Sequence, residues 1–291
     1  MTNTDYVKVA SFLFLKKHKE KTGNNSTGVM FNKYMTLLNR ELLSKGIDIK
    51  LPHCWYRWGD EVVRYSMPYI DWNHEDIGTT SVKYSDKRPK YNPRDQVICI
   101  ADKFADDFLG RYSGPRGQEE AIDEVYSDAP FKFQNDFRQL REALKISRKN
   151  NPLRNYHKYI QGLFSNATES FPPEFGYLSQ HFERFRSAFS LALSKKAKPE
   201  DLFEISETFW FFFCYHLRLN NKCHENVPQS TLDVWREVLP AEEDKYTMFV
   251  QNQVAEYCPS GGSGDPVIDV LIKDRDVRLK KSDSLFTKVF G

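Results

Sequence analysis

Residues Leu202 to Leu217, LFEISETFWFFFCYHL, constrain the fold more than any other stretch, because they are apolar nearly all round when wound as a helix. Such a helix must be packed on several sides, so the chain needs a core wide enough to surround it. Aromatic residues make that possible: 22 Phe and 15 Tyr stand among 291 residues, and the apolar content sits in rings more than in aliphatic chains. His216, Arg218 and Glu207 interrupt the run, so it reads as a buried helix and not as a membrane span. The first apolar run, in MTNTDYVKVASFLFLKKHKEK, is too short to span, and its basic residues follow it instead of preceding it as in a signal peptide. A length of 291 residues favours two domains of roughly 150 residues each.

Net charge is only +2, with 28% charged residues, which excludes a uniformly basic nucleic-acid binder and leaves room for local patches. Cys54, Cys99, Cys214, Cys223 and Cys258 are odd in number and contain no CxxC pair. Reduced thiols in a cytoplasmic protein are therefore expected, with no membrane association.

Hydrophobic spacing predicts a first helix from Tyr6 to about Lys21 and a second from Val29 to Ser44, with Gly46 as its cap. Ile47, Ile49 and Leu51 alternate with polar residues and Glu61 to Tyr65 is β-prone, so short strands are expected on either side of the intervening aromatic segment. Asn73 to Pro93 reads as a loop. Helices follow around Val97 to Leu109 and from Glu119. The cations Arg138, Arg141, Lys145, Arg148, Lys149, Arg154 and Lys158 face a single acid, Glu142, and Asn150, Asn151 and Pro152 break the helix, which places a domain boundary near residue 150. Beyond it the pattern is helical through Tyr257. PSGGSGDP reads as a linker, VIDVLIKDRDV as a strand and DSLFTKVF as an apolar tail. The expectation is a mainly α protein: a helical N-terminal domain with a small β element over 1–150, an all-α bundle over 151–258, and a flexible linker and tail over 259–291.

Leu51 to Tyr65, LPHCWYRWGDEVVRY, crowds Trp55, Tyr56, Trp58 and Tyr65 around Gly59 and adds Arg57 and Arg64. Rings supply contact area and guanidinium groups supply planar donors, so Tyr56, Arg57, Trp58 and Arg64 are the candidate contacts to a partner protein. The alternative is that the same rings bury themselves in the N-terminal core.

The order of a helix containing NKYMTLLNRELLSKG, an aromatic WYRWG turn, a loop, a helix ending in LGRYSG and a short helix before Pro130 resembles the Panacea or SocA-like antitoxin domain. Lys33, Gly46, Trp58, Gly59, Tyr112 and Pro130 carry the resemblance, through roughly residue 135. Asp60 stands where that family has Pro, Asp128 approximates a His position, and Phe131 replaces Trp. The resemblance implies a non-enzymatic protein that contacts a toxin or another defence-associated protein.

Two chemistries compete with that reading. Arg218 and His224, in RLNNKCH, are spaced as in the ribonuclease motif of HEPN domains, although Leu219 replaces the usual polar residue after the Arg. The resemblance implies metal-independent RNA cleavage, with His224 as general acid or base and Arg218 steadying the phosphate. The bland meaning is a basic helix end set against the helix dipole. Lys83, Lys87, Arg88, Lys90 and Arg94, interleaved with Tyr84 and Tyr91, form segment 83–94, suited to phosphate contact and base stacking. With Arg141, Lys145, Arg148 and Lys149 of segment 138–158 it makes a candidate nucleic-acid surface, weighed against a solvated loop.

Neither Cys214, His216, Cys223 and His224 nor His53, Asp71, His74 and Asp76 has metal-ligand spacing, so no metal is expected. The chain has no P-loop, GxGxxG, GxSxG or HExxH, and no cofactor is expected.

Overall fold

The computed structural model describes residues 2–74, 80–149, 156–258, 266–275 and 277. The fold is mainly α with small antiparallel sheets, as the sequence predicts. Two compact units divide it: Met1–Ala129 with Cys214–Arg236, and Pro130–Phe213 with Glu237–Gly291. The division near residue 150 is thus replaced by one at Ala129–Pro130, and the first unit takes back a later segment. The cations that pointed to residue 150 do not share one surface: Arg148 is exposed, Arg141 of the same helix is buried, and Lys158 lies on the next helix.

In the first unit, α1 (Asn3–Thr22) opens on a capping box in which Thr2 and Asp5 satisfy each other's backbone N–H, and closes on Gly23. A two-residue strand β1 (Ser26–Thr27) leads into α2 (Gly28–Ser44), where Phe31, Tyr34, Met35, Leu38 and Leu42 form the buried stripe. Gly46 adopts φ +75, and Ile47 N donates to Leu42 O at 2.9 Å, the closure expected of a helix ending in a left-handed glycine.

The strands lie elsewhere than the alternation at 47–51 predicts. Lys50 takes φ 53 with its N–H on Asp48 Oδ1, which breaks an extended run. The aromatic segment is itself the hairpin: β2 (His53–Tyr56) pairs antiparallel with β3 (Gly59–Val62). Residues read as a loop after Asn73 contain half of a second hairpin, β4 (Ile70–His74) with β5 (Thr80–Tyr84), in which Val82 is buried opposite Trp72. The β-prone Thr80, Val82 and Tyr84 alternate there, a period-2 signal obscured by the polar residues around it. Helices α3 (Gln96–Arg111) and α4 (Gly117–Tyr126) follow, α3 capped by Asp95, whose Oδ1 accepts from Val97 N and Ile98 N. Phe14 stacks on Tyr34 at 4.2 Å between ring centroids, and Phe108 meets both edge-on.

The second unit begins with α5 (Lys132–Lys149) and continues through α6 (Tyr156–Glu169), α7 (Ser179–Ser194) and α8 (Pro199–Leu217) to Phe213. Phe209 and Trp210 of α8 are fully buried, as the opening run predicts. Phe185 stacks on Phe209 at 4.5 Å, Phe137 on Trp210 at 5.4 Å, and Phe164 on Phe189 at 4.4 Å. Each buried Phe contributes about 2–3 kcal/mol of transfer free energy, so this ring network is the main source of cohesion here.

Past α8 the chain forms β6 (His224–Glu225) and α9 (Gln229–Glu237), then α10 (Leu239–Tyr257), whose Tyr246 stacks on Phe212 at 4.5 Å and donates its hydroxyl to His181 O. The linker at 259–265 and the tail from residue 278 lie outside the described residues. VIDVLIKDRDV is not a strand: residues 266–275 are helical, with Ile268 and Leu271 buried three positions apart. Among the described residues no helix is long and apolar enough to cross a membrane.

Candidate interaction site

The β2–β3 hairpin turns through Arg57 and Trp58, with Tyr56 opposite Gly59 in register. Gly59 adopts φ +98, while neither Arg57 nor Trp58 has positive φ, so the turn is not of the I′ or II′ type and the left-handed residue is the glycine just after it. A Cβ on Gly59 would stand 3.0 Å from Tyr126 Cε2 and 3.2 Å from Lys33 Nζ, so a side chain there is crowded as well as strained by the dihedral.

Under the turn lies a polar base that α2 supplies from its buried stripe. Lys33 is 0% exposed, and its Nζ donates to Asp60 O at 2.9 Å. Glu61, also buried, accepts from Trp58 N at 3.3 Å. Burial pushes the Glu61 carboxyl above its ordinary value, against the pull of Lys33 and Arg64 and the Trp58 N–H. On the neighbouring strand His53 Nδ1 meets Asp60 Oδ1 at 2.7 Å, while its Nε2 is 3.7 Å from Glu225 Oε2 on β6. Burial alone would depress the His53 pKa, yet Asp60 and then Glu225 hold it above the usual histidine value. The turn is thus fixed from below by ionic and hydrogen-bonded groups.

What stands on that base divides by depth. Trp55 is buried and meets Tyr126 edge-on at 5.4 Å. Tyr56 and Arg57 are half-buried, with the guanidinium 5.4 Å from the Tyr56 ring centroid. Trp58 is 39% exposed, Arg64 is exposed 4.7 Å from the Trp72 ring, and Tyr65 is 83% exposed. Of the four candidate contacts, two are therefore outward and two are partly so. Tyr65 joins the outward set, and Lys33 and Glu61 form the support, none of which the four candidate contacts include. A lysine flanked by the apolar stripe of α2 was the available signal for Lys33.

Arg218 and His224 fall in the first unit, beside the sheet ordered β3-β2-β6, and not in the helical bundle expected to carry them. The Arg218 guanidinium is caged by rings, 4.6 Å from Tyr215, 4.6 Å from Trp235 and 5.1 Å from Tyr56, and the residue is 9% exposed. Burial lowers its pKa, and its charge is held by π-faces and nearby phenol and thiol groups. His224 lies opposite Cys54 in β6, with its pKa lowered by burial and then by Arg236 and His53, so its imidazole is neutral near pH 7.

The basic candidates also separate. Lys83, Lys87, Arg88, Lys90 and Arg94 are all exposed in the first unit, whereas Tyr84 and Tyr91 turn inward. Tyr84 packs edge-on to Phe12 at 5.2 Å and Tyr91 joins Val9, Leu13 and Ile98, so neither ring is an open stacking platform. In the second unit Arg141 is buried, ion-paired with Glu207 and 5.2 Å from the Trp210 ring, which removes it from any phosphate surface. Lys145 pairs with Glu142, Arg148 is exposed over Phe203, and the Lys149 side chain lies outside the described residues. Cys214 and Cys223 are buried, Asp71 pairs with Lys83, and Asp76 and the His74 side chain lie outside the described residues. Among the described residues no three His, Cys, Asp or Glu side chains converge as metal ligands.

Comparison with protein-family models, with curated proteins and with solved structures found no match to this chain.

Proposed function

We propose that this chain is a non-enzymatic interaction protein, antitoxin-like or defence-associated, that holds a partner protein with the tip of the β2–β3 hairpin and the turn after it. The observation that carries this reading is the pairing of exposed Trp58, Arg64 and Tyr65 with the buried Lys33, Asp60 and Glu61 beneath them. Trp, Tyr and Arg are the residues that dominate protein-binding energy, and a prefixed turn lowers the ordering cost of binding. Caging of Arg218 by three rings favours this reading over ribonuclease chemistry, since a guanidinium committed to rings is not presented to a phosphate.

The test is copurification of the full chain with the protein encoded by the adjacent gene, using the wild type and Trp58→Ala, Arg64→Ala and Tyr65→Ala variants. Loss of the partner at least tenfold with an unchanged melting temperature supports the assignment. Retention of the partner by the triple variant rejects it.

A further inference from the structure

Segment 85–94 has no regular secondary structure, yet it is held at many points. Tyr84 OH donates to Lys87 O at 3.4 Å, Asp86 Oδ1 accepts from Lys87 N at 2.6 Å, and Lys8 Nζ reaches Asp86 Oδ2 at 2.5 Å. At the far end Asn92 Oδ1 accepts from Arg94 N at 3.0 Å, Asp95 N donates to Asn92 O at 3.0 Å, and Cys99 Sγ donates to Pro93 O at 3.2 Å. Tyr91, between these anchors, packs into the Val9, Leu13 and Ile98 cluster.

The consequence is a strap whose acids are engaged and whose cations are not. Asp86 is taken by Lys8, and Asp95 is taken by the α3 N-terminus and Tyr6 OH. Lys87, Arg88, Lys90 and Arg94 are exposed, and none of them is in an ion pair among the described residues; Arg88 lies 6.0 Å from the Phe12 ring. Four cations on a prefixed backbone bind a polyanion without the cost of ordering a free loop.

We infer that the 85–94 strap is a binding site for the phosphodiester backbone of double-stranded nucleic acid, read without regard to base sequence. The inward rings decide between duplex and single strand, because single-strand binders need open aromatic faces for the bases. Duplex also offers dense, regularly spaced phosphates to a short row of cations. A lipid surface fits less well, since Tyr91 of the strap packs into the Val9, Leu13 and Ile98 cluster and the strap carries no Phe, Trp, Leu or Ile to insert. This site is separate from the hairpin contacts and stands or falls without them.

Fluorescence anisotropy of a labelled random-sequence duplex, titrated with the full chain at several salt concentrations, tests the inference. Four phosphate contacts give a log–log salt slope of about −3.6, and each cation removed reduces its magnitude by about 0.9. The variant Lys87→Gln, Arg88→Gln, Lys90→Gln, Arg94→Gln should lose at least tenfold in affinity at low salt while its melting temperature stays that of the wild type. Arg148→Gln, exposed in the other unit, should leave the affinity and slope unchanged. The inference is overturned by absence of duplex binding at low salt, or by equal affinity and slope in the fourfold variant. Tighter binding to a single strand, to poly-glutamate or to phosphatidylserine vesicles under the same conditions overturns it as well.

Discussion

Lys33 Nζ donates to the backbone oxygen of Asp60 at 2.9 Å, tying a fully buried lysine on α2 to the hairpin that carries the exposed rings. A lysine so placed is stabilised by that carbonyl and by the nearby Glu61 carboxylate. Lys33→Met should cost about 3 kcal/mol in urea denaturation, because it leaves buried acceptors without their cation. Glu61 would then rise further, and its charged form would be penalised at neutral pH. The deficit should therefore narrow as pH falls and Glu61 protonates; a deficit independent of pH would disconnect the two residues.

Gly59→Ala combines an unfavourable φ of +98 with contacts at 3.0 Å to Tyr126 and 3.2 Å to Lys33 Nζ. A loss of about 2 kcal/mol follows from dihedral strain and local displacement together. Thermal melting measures it, and a melting temperature equal to the wild type would show that the turn can rearrange.

The His53 link has a pH signature. Its pKa is raised in the fold, with Asp60 and Glu225 outweighing burial, so its stabilisation is complete below the unfolded value of 6.5 and is lost as pH rises through the higher folded value. His53→Gln should accordingly be most destabilising on the acid side of pH 6.5 and less so above the folded pKa. Arg40 opposes the shift, so Arg40→Gln should move the loss to higher pH. An NMR titration of the imidazole below 6.5 would contradict the sign.

Arg218→Ala removes one guanidinium from three rings and should destabilise by about 2 kcal/mol, with a change in Trp235 fluorescence. Arg218→Lys should recover only part of this, since an ammonium lacks the planar face that stacks on Tyr and Trp. Incubation of wild type and His224→Ala with RNA separates this structural role from catalysis. Cleavage by the wild type that disappears in the variant would restore the ribonuclease reading.

Much of the fold was legible because helices announce themselves locally. The apolar stripe of α2, the all-round apolarity of α8 and the cap residue Gly46 are properties of neighbouring positions on one chain. The β elements were not legible to the same degree. Strands of four or five residues carry too few alternations, and their pairing partners are distant: β6 reaches β2 from about 170 positions away. The domain boundary failed for the same reason, since the return of Cys214–Arg236 to the first unit leaves no local trace.

The corner of rings shows where the two sources of information part. By itself the sequence determined that Trp55, Tyr56, Trp58 and Tyr65 would gather with two arginines around a glycine, because composition and the demand for a turn are written in adjacent positions. Only the tertiary structure decided that Trp55 goes inward against Tyr126 while Trp58 and Tyr65 stay out, and that Arg218 arrives from far along the chain to sit beside Tyr56. Burial depends on what the rest of the chain brings to each face, and that is settled by packing between segments distant in sequence.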